Sequence, residues 1–168
     1  KEAVAETPVL KEYEEKILAP VNAQRGDKLP VSTFVDSADG TVPLGSAALE
    51  KRGIAVNVPK WVPENCIQCN FCSYVCPHAV IRPVAMTEEE AEKAPESMKM
   101  KDMTGLPGMK FAMTVSALDC TGCGVCSQVC PGMKGNKALA MSPIDNERPG
   151  QEVFDYGVKL DPKPEVLA

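Results

Sequence analysis

Aromatic side chains are scarce here: one Trp, three Tyr and four Phe make up 5% of 168 residues. Aromatics carry the largest buried areas, so their shortage argues against a large aromatic-rich core. Long apolar runs are missing too. None approaches the ~18–20 consecutive residues needed to cross a bilayer, and no secretory signal-peptide pattern is present. Basic tracts are also absent. Eighteen Lys and Arg stand against 23 Asp and Glu, a formal charge of −5, which argues against nucleic-acid binding, since that needs a basic patch or stripe. There is a single histidine, His78.

Proline and cysteine are plentiful. Fifteen prolines imply much irregular or extended chain. Cys66, Cys69, Cys72 and Cys76-Pro77 form the run C-x2-C-x2-C-x3-C-P, and Cys120, Cys123, Cys126 and Cys130-Pro131 repeat it 54 residues later. All eight cysteines are used. This is the spacing of bacterial two-cluster ferredoxins, whose thiolates hold two [4Fe–4S] clusters and transfer single electrons. Three cysteines at i, i+3 and i+6 let a tight loop cover three irons of a cubane, and the fourth ligand must come from elsewhere. In such ferredoxins the fourth cysteine of each run ligates the other cluster. The expected sets are therefore Cys66, Cys69, Cys72 and Cys130 for one cluster, and Cys120, Cys123, Cys126 and Cys76 for the second.

A disulfide framework does not require two identical runs. Structural zinc usually takes paired C-x2-4-C elements, and a triplet plus a remote cysteine suits it poorly. Residues between the ligands fit cluster loops. Gly124 and Gly122 supply backbone freedom, and Asn70, at the position matching Gly124, is among the few other residues that tolerate positive φ. Pro77 and Pro131 fix φ after the fourth ligands. With two oxidised cubanes bound, the net charge would fall to about −9. Low-potential clusters imply a reducing, oxygen-poor and intracellular setting.

Three segments are expected. Residues 1–53 hold a helix and linker. The helix spans 7–19, capped by Thr7, with Pro8 in its first turn and Pro20 ending it. Val9, Leu10, Tyr13 and Ile17 share its apolar face, and Glu12 pairs with Lys16. Residues 54–141 form the two-cluster domain, an α+β ferredoxin-like fold with pseudo-twofold repetition of strand, cysteine loop, short helix and strand. Its strands are expected at Ile54–Val58, Ala79–Val84, Lys110–Val115 and Ala138–Met141, with Pro83 confining the second to an edge. An insertion at 85–109 opens with a Thr87/Glu90 capping box and a short acidic helix stopped by Pro95. Five of eight methionines fall between Met98 and Met113, filling gaps in the insertion or covering a cluster or an inter-domain surface. Residues 142–168 read as an arm against another structure. Trp61 and His78 read as packing or surface residues. Lys134 and Lys137 are either solvated or a local contact for an acidic carrier.

The segment from Glu50 through Pro83, EKRGIAVNVPKWVPENCIQCNFCSYVCPHAVIRP, resembles the iron–sulfur domain of pyruvate:ferredoxin oxidoreductases, as does ALDCTGCGVCSQVCPGMKGNKALAM. The linker Gly26-Asp27-Lys28-Leu29-Pro30-Val31-Ser32 is similar to the stretch leading into that domain. The resemblance implies an electron-transfer segment of a cytoplasmic, homo-oligomeric enzyme of anaerobic pyruvate metabolism. Such an enzyme uses thiamine diphosphate, magnesium and coenzyme A, and passes electrons through three [4Fe–4S] clusters to ferredoxin or flavodoxin. The third cluster and the thiamine site would lie in other parts of the parent. No Gly-Asp-Gly thiamine signature occurs, and a chain opening on Lys1 is expected to be a piece of a larger enzyme with no catalytic residues of its own. A ferredoxin-like subunit of another 2-oxoacid oxidoreductase, or a domain whose clusters serve only as structural staples, stays open.

Overall fold

The computed structural model describes residues 7–167. The chain divides into two units, residues 1–51 and 52–168.

In the first unit, α1 (Pro8–Tyr13) runs through a wider π-type turn at Glu14–Leu18 into α2 (Ala19–Asn22). Pro20 therefore does not end the helix. It brings no N–H and would crowd the carbonyl four residues back; the wider turn just before it, closed by the Ala19 N–H to the Glu14 carbonyl, accommodates both problems. The end comes at Gln24, with φ 55°. There the Arg25 N–H reaches Pro20 and the Gln24 N–H reaches Val21, the paired bonds of a left-handed helix stop. Leu10 is buried, with Tyr13 and Ile17 half-buried beside it on the same face, but Val9 is 62% exposed and lies off that stripe. Short 3-10 turns at Gly26–Lys28, Val31–Ser37 and Ser46–Ala48 carry the rest.

The second unit mixes helix and sheet. Its elements in order are β1 (Asn57–Trp61), α3 (Phe71–Tyr74), β2 (Ile81–Thr87), α4 (Glu88–Glu92), β3 (Lys101–Asp102), β4 (Met109–Val115), α5 (Val125–Val129), β5 (Leu139–Pro143), α6 (Ile144–Glu147), α7 (Gly150–Gly157) and α8 (Pro164–Leu167). β1 pairs antiparallel with β5, and β2, β4 and β3 form a second antiparallel sheet in that order. β2 is an edge strand, where Pro83 costs no ladder bond. The first strand begins at Asn57, not Ile54, because its ladder starts opposite Pro143; Ile54 and Val56 are exposed.

The capping box forms as expected: the Thr87 N–H donates to Glu90 Oε2 at 2.9 Å and the Glu90 N–H to Thr87 Oγ1 at 3.3 Å. The insertion does more than loop out, since β3 adds a third strand beside β4. Its methionines pack inward. Met98 is fully within the core and Met100 and Met103 pack against it.

Residues 142–168 were expected as an arm against another structure. They instead complete the core of this unit. Val153 and Phe154 of α7 are buried, and a Cβ at Gly157 would meet Val84 Cγ2 at 2.9 Å and Thr114 Cγ2 at 3.2 Å, so the helix lies close on β2 and β4. Arg82 covers the Phe154 ring, 5.5 Å from its centroid. The tail is latched by the Tyr156 hydroxyl to the Glu90 carbonyl and by Lys163 Nζ to Glu90 Oε1, each at 2.6 Å. The apolar spacing of α7 carried this signal, at Val153, Phe154 and Gly157.

Candidate metal centres

Each cysteine run is a loop followed by a helix of four or five residues, and the two helices, α3 and α5, touch. The third cysteine of each run, Cys72 or Cys126, is buried in its helix. The helix then carries the fourth across: Cys130 stands at the C-terminal cap of α5, and Cys76 lies just beyond α3.

The result is a sorting of the cysteines into two cavities. One is lined by Cys66, Cys69, Cys72 and Cys130. The other is lined by Cys120, Cys123, Cys126 and Cys76. Each cavity thus takes three cysteines from one run and the last from the other. Most of these side chains are buried or half-buried, and Cys123 is the exposed one.

A single ion would be a poor occupant. Zinc bonds sulfur at about 2.3 Å, so its ligands crowd within roughly 4 Å of one another. Among the described residues no three Cys, His, Asp or Glu converge in that way. All-sulfur donors spread around a cavity suit a larger, thiophilic body. Burial pushes the Cys72 thiol up to about 12 and Cys126 up to about 11, with neighbouring cysteines adding to the effect; burial raises Cys120 as well. Groups held this way become thiolates only when a coordinated metal removes the proton.

The backbone supplies further donors. The Gln68 N–H reaches Cys66 Sγ at 3.4 Å and the Ala138 N–H reaches Cys130 Sγ at 3.3 Å, while the Gly122 N–H reaches Cys120 Sγ at 3.4 Å. The loops take the expected left-handed turns, with φ 60° at Asn70 and 74° at Gly124. Gln68 matches Gly122 in the repeat and shares its sign of φ. Sequence reasoning missed Gln68, although the 54-residue offset from Gly122 pointed to it.

Other residues brace the two cavities. Trp61 lines it and packs edge-on to Phe111, 6.0 Å between centroids. Met113 lines it with Sδ 4.0 Å from Cys72 Sγ. Lys101 donates to the carbonyls of Pro63 and Cys66 at 2.9 and 2.7 Å. Before the second loop, the Ser116 hydroxyl sits 2.5 Å from Asp119 Oδ2 and 2.9 Å from Gln151 Oε1. Lys137 is not a free cation. It binds the carbonyls of Ser127 and Gln128 at 2.9 and 2.6 Å, closing the end of α5. His78 is exposed at the rim of the second cavity.

Comparison with known proteins gives these cavities a context. Residues 65–133 match the 4Fe-4S dicluster domain family. Residues 2–55 match a separate family, EKR, a domain of unknown function. The chain is 52% identical to the pyruvate:ferredoxin oxidoreductase of Moorella thermoacetica over 98% of its own length and 14% of that protein's. It is 48% identical to the pyruvate-flavodoxin oxidoreductase of Enterobacter agglomerans over 88% of its length and 12% of the relative's. The chain is similar to one segment of these pyruvate oxidoreductases. It spans about one-seventh of their length. A further relative, the mitochondrial pyruvate dehydrogenase [NADP(+)] of Euglena gracilis, is 42% identical over 92% of this chain. Among the described residues no helix is long and apolar enough to cross a membrane.

Proposed function

We propose that residues 52–168 bind two [4Fe–4S] clusters and relay electrons one at a time within a larger pyruvate oxidoreductase. The first cluster takes Cys66, Cys69, Cys72 and Cys130; the second takes Cys120, Cys123, Cys126 and Cys76. The observation that carries this reading is the crosswise sorting of eight cysteines into two sulfur-lined cavities. The clusters supply the one-electron chemistry. The chain's own part is to hold them close together, to shield them behind Trp61, Met113 and Ile81, and to tie the two halves into one body. The same reading takes the fold as pseudo-twofold. Pairing of each half's first strand with the other's last, β1 with β5 and β4 with β2, supports that symmetry.

In the parent enzyme, thiamine diphosphate, magnesium and a third cluster belong to parts outside this segment, and pyruvate oxidation there feeds electrons into this pair. Ferredoxin or flavodoxin receives them, in the cytoplasm of an oxygen-poor cell, from a homo-oligomeric enzyme. The names of the relatives support those acceptors as a class.

Anaerobic isolation should yield about eight irons and eight sulfides per chain, and reduction with dithionite an EPR spectrum of two interacting clusters. Zinc in place of iron under those conditions would overturn the assignment.

A further inference from the structure

Two side-chain polar atoms among the described residues are buried without a hydrogen-bond partner: Trp61 Nε1 and Asn70 Oδ1. Both residues line the first cavity. Neither lines the second, whose walls contain no such atom. A buried donor left unmatched bears its full desolvation cost, and orphaned groups of this kind call for an explanation. Trp61 also borders an open groove with Lys60, Ser97 and Glu147, but water there would reach the indole nitrogen, and that atom is buried.

We infer that the Trp61 indole N–H, with the Asn70 amide of the same cavity, donates a hydrogen bond to a sulfur of the first cluster and raises that cluster's reduction potential. The inference rests on the two-cluster reading above. An indole nitrogen can only donate, so its partner must be an acceptor, and the sulfides and thiolates of a cubane are the acceptors that this cavity would hold. The Asn70 amide presents NH2 in place of oxygen after a half-turn about its last bond, an assignment set by the partner it meets. Hydrogen bonds to cluster sulfurs draw off charge and favour the reduced state, which carries one more electron. Trp61 thereby acts on one cluster and leaves the other alone, on top of an existing difference in backbone donors.

The chain has a single tryptophan, so a 15N label in the indole reports on this group alone. In cluster-loaded protein reduced with dithionite, pulsed EPR should detect a 15N coupling, together with an exchangeable proton lost in D2O. Trp61→Phe keeps the ring and removes the donor. An EPR-monitored redox titration of that variant should show one cluster moved to lower potential and the other unchanged. Protein with about eight irons and no 15N coupling would overturn the inference and leave the two-cluster reading standing; so would a titration of Trp61→Phe unchanged at both clusters. Failure of the variant to assemble leaves the decision to the labelled wild-type protein. Absence of iron altogether would overturn both readings.

Discussion

The first cysteine loop carries Gln68 and Asn70 where the second carries Gly122 and Gly124, and all four residues have φ between 60° and 74°. The second loop meets this backbone demand with residues that bear no Cβ penalty. The first uses residues with side chains, and there Gln68 offsets the strain by bonding elsewhere. Gln68 Nε2 donates to the Asp102 carbonyl at 2.8 Å, and Gln68 Oε1 accepts from the Thr104 N–H at 2.9 Å. These bonds dock the loop on the inserted hairpin, and Lys101 adds a second clamp from the same strand. The second loop has no inserted hairpin. It is approached through Ser116, Gln151 and Asp119, and its helix is closed by Lys137. Equal spacing of ligands is thus compatible with different scaffolds, because a cluster constrains its ligands and not what braces them.

The largest effect expected concerns cysteines that the two loops exchange. Cys76→Ala should remove the cluster held by Cys120, Cys123 and Cys126 and spare the one beside its own run, with iron falling by about half; Cys130→Ala should do the reverse. Loss of the cluster nearest in sequence, seen by site-resolved EPR or a structure, would break the crosswise arrangement.

Lys101→Met comes next. It leaves the carbonyls of Pro63 and Cys66 without their charged partner, at about 1–3 kcal/mol. Chemical denaturation should show that loss, and oxidative bleaching should strike the first cluster earlier than the second. Equal bleaching of both would mean that the insertion does not brace the first loop.

Gln68 sharpens the comparison further. Gln68→Ala discards two hydrogen bonds and keeps a Cβ at positive φ, whereas Gln68→Gly discards the bonds and relieves the backbone. The glycine variant should be the more stable by about 1 kcal/mol. If alanine proves the milder change, strain is not what distinguishes the loops.

The smallest effect belongs to the latch between α4 and the tail. Burial opposes the charge on Glu90, but hydrogen bonds from Lys163 and Thr87 outweigh it and hold the carboxyl below its ordinary value of 4.5. A group lowered on folding stabilises the native state above its unfolded value and loses that contribution as pH falls through the folded one. Glu90→Gln should therefore cost about 0.5–1 kcal/mol at neutral pH, and the gap from wild type should close below pH 4.5. A gap that persists at low pH would show that the cost does not come from the ion pair, since Gln can also serve the capping box.

Much of the fold was readable because its signals are local. Cysteine spacing, the Thr87/Glu90 box, Pro83 on an edge strand and positive φ at Asn70 and Gly124 each depend on a few neighbouring residues. Misreadings came where partners lie far apart along the chain. The stop at Pro20 yielded to a wider turn, Ile54–Val58 shifted to Asn57–Trp61 through its pairing with Pro143, and the supposed terminal arm was drawn in by β2 and β4.

By itself the sequence determined that eight thiols come as two like sets, since ligand type and spacing are properties of the covalent chain. Which lysines are tied to backbone carbonyls and which buried polar atoms stand unpartnered were decided by tertiary structure alone. Those properties depend on distances between residues tens of positions apart, and only packing of α3 on α5 and pairing of the strands brings them within reach.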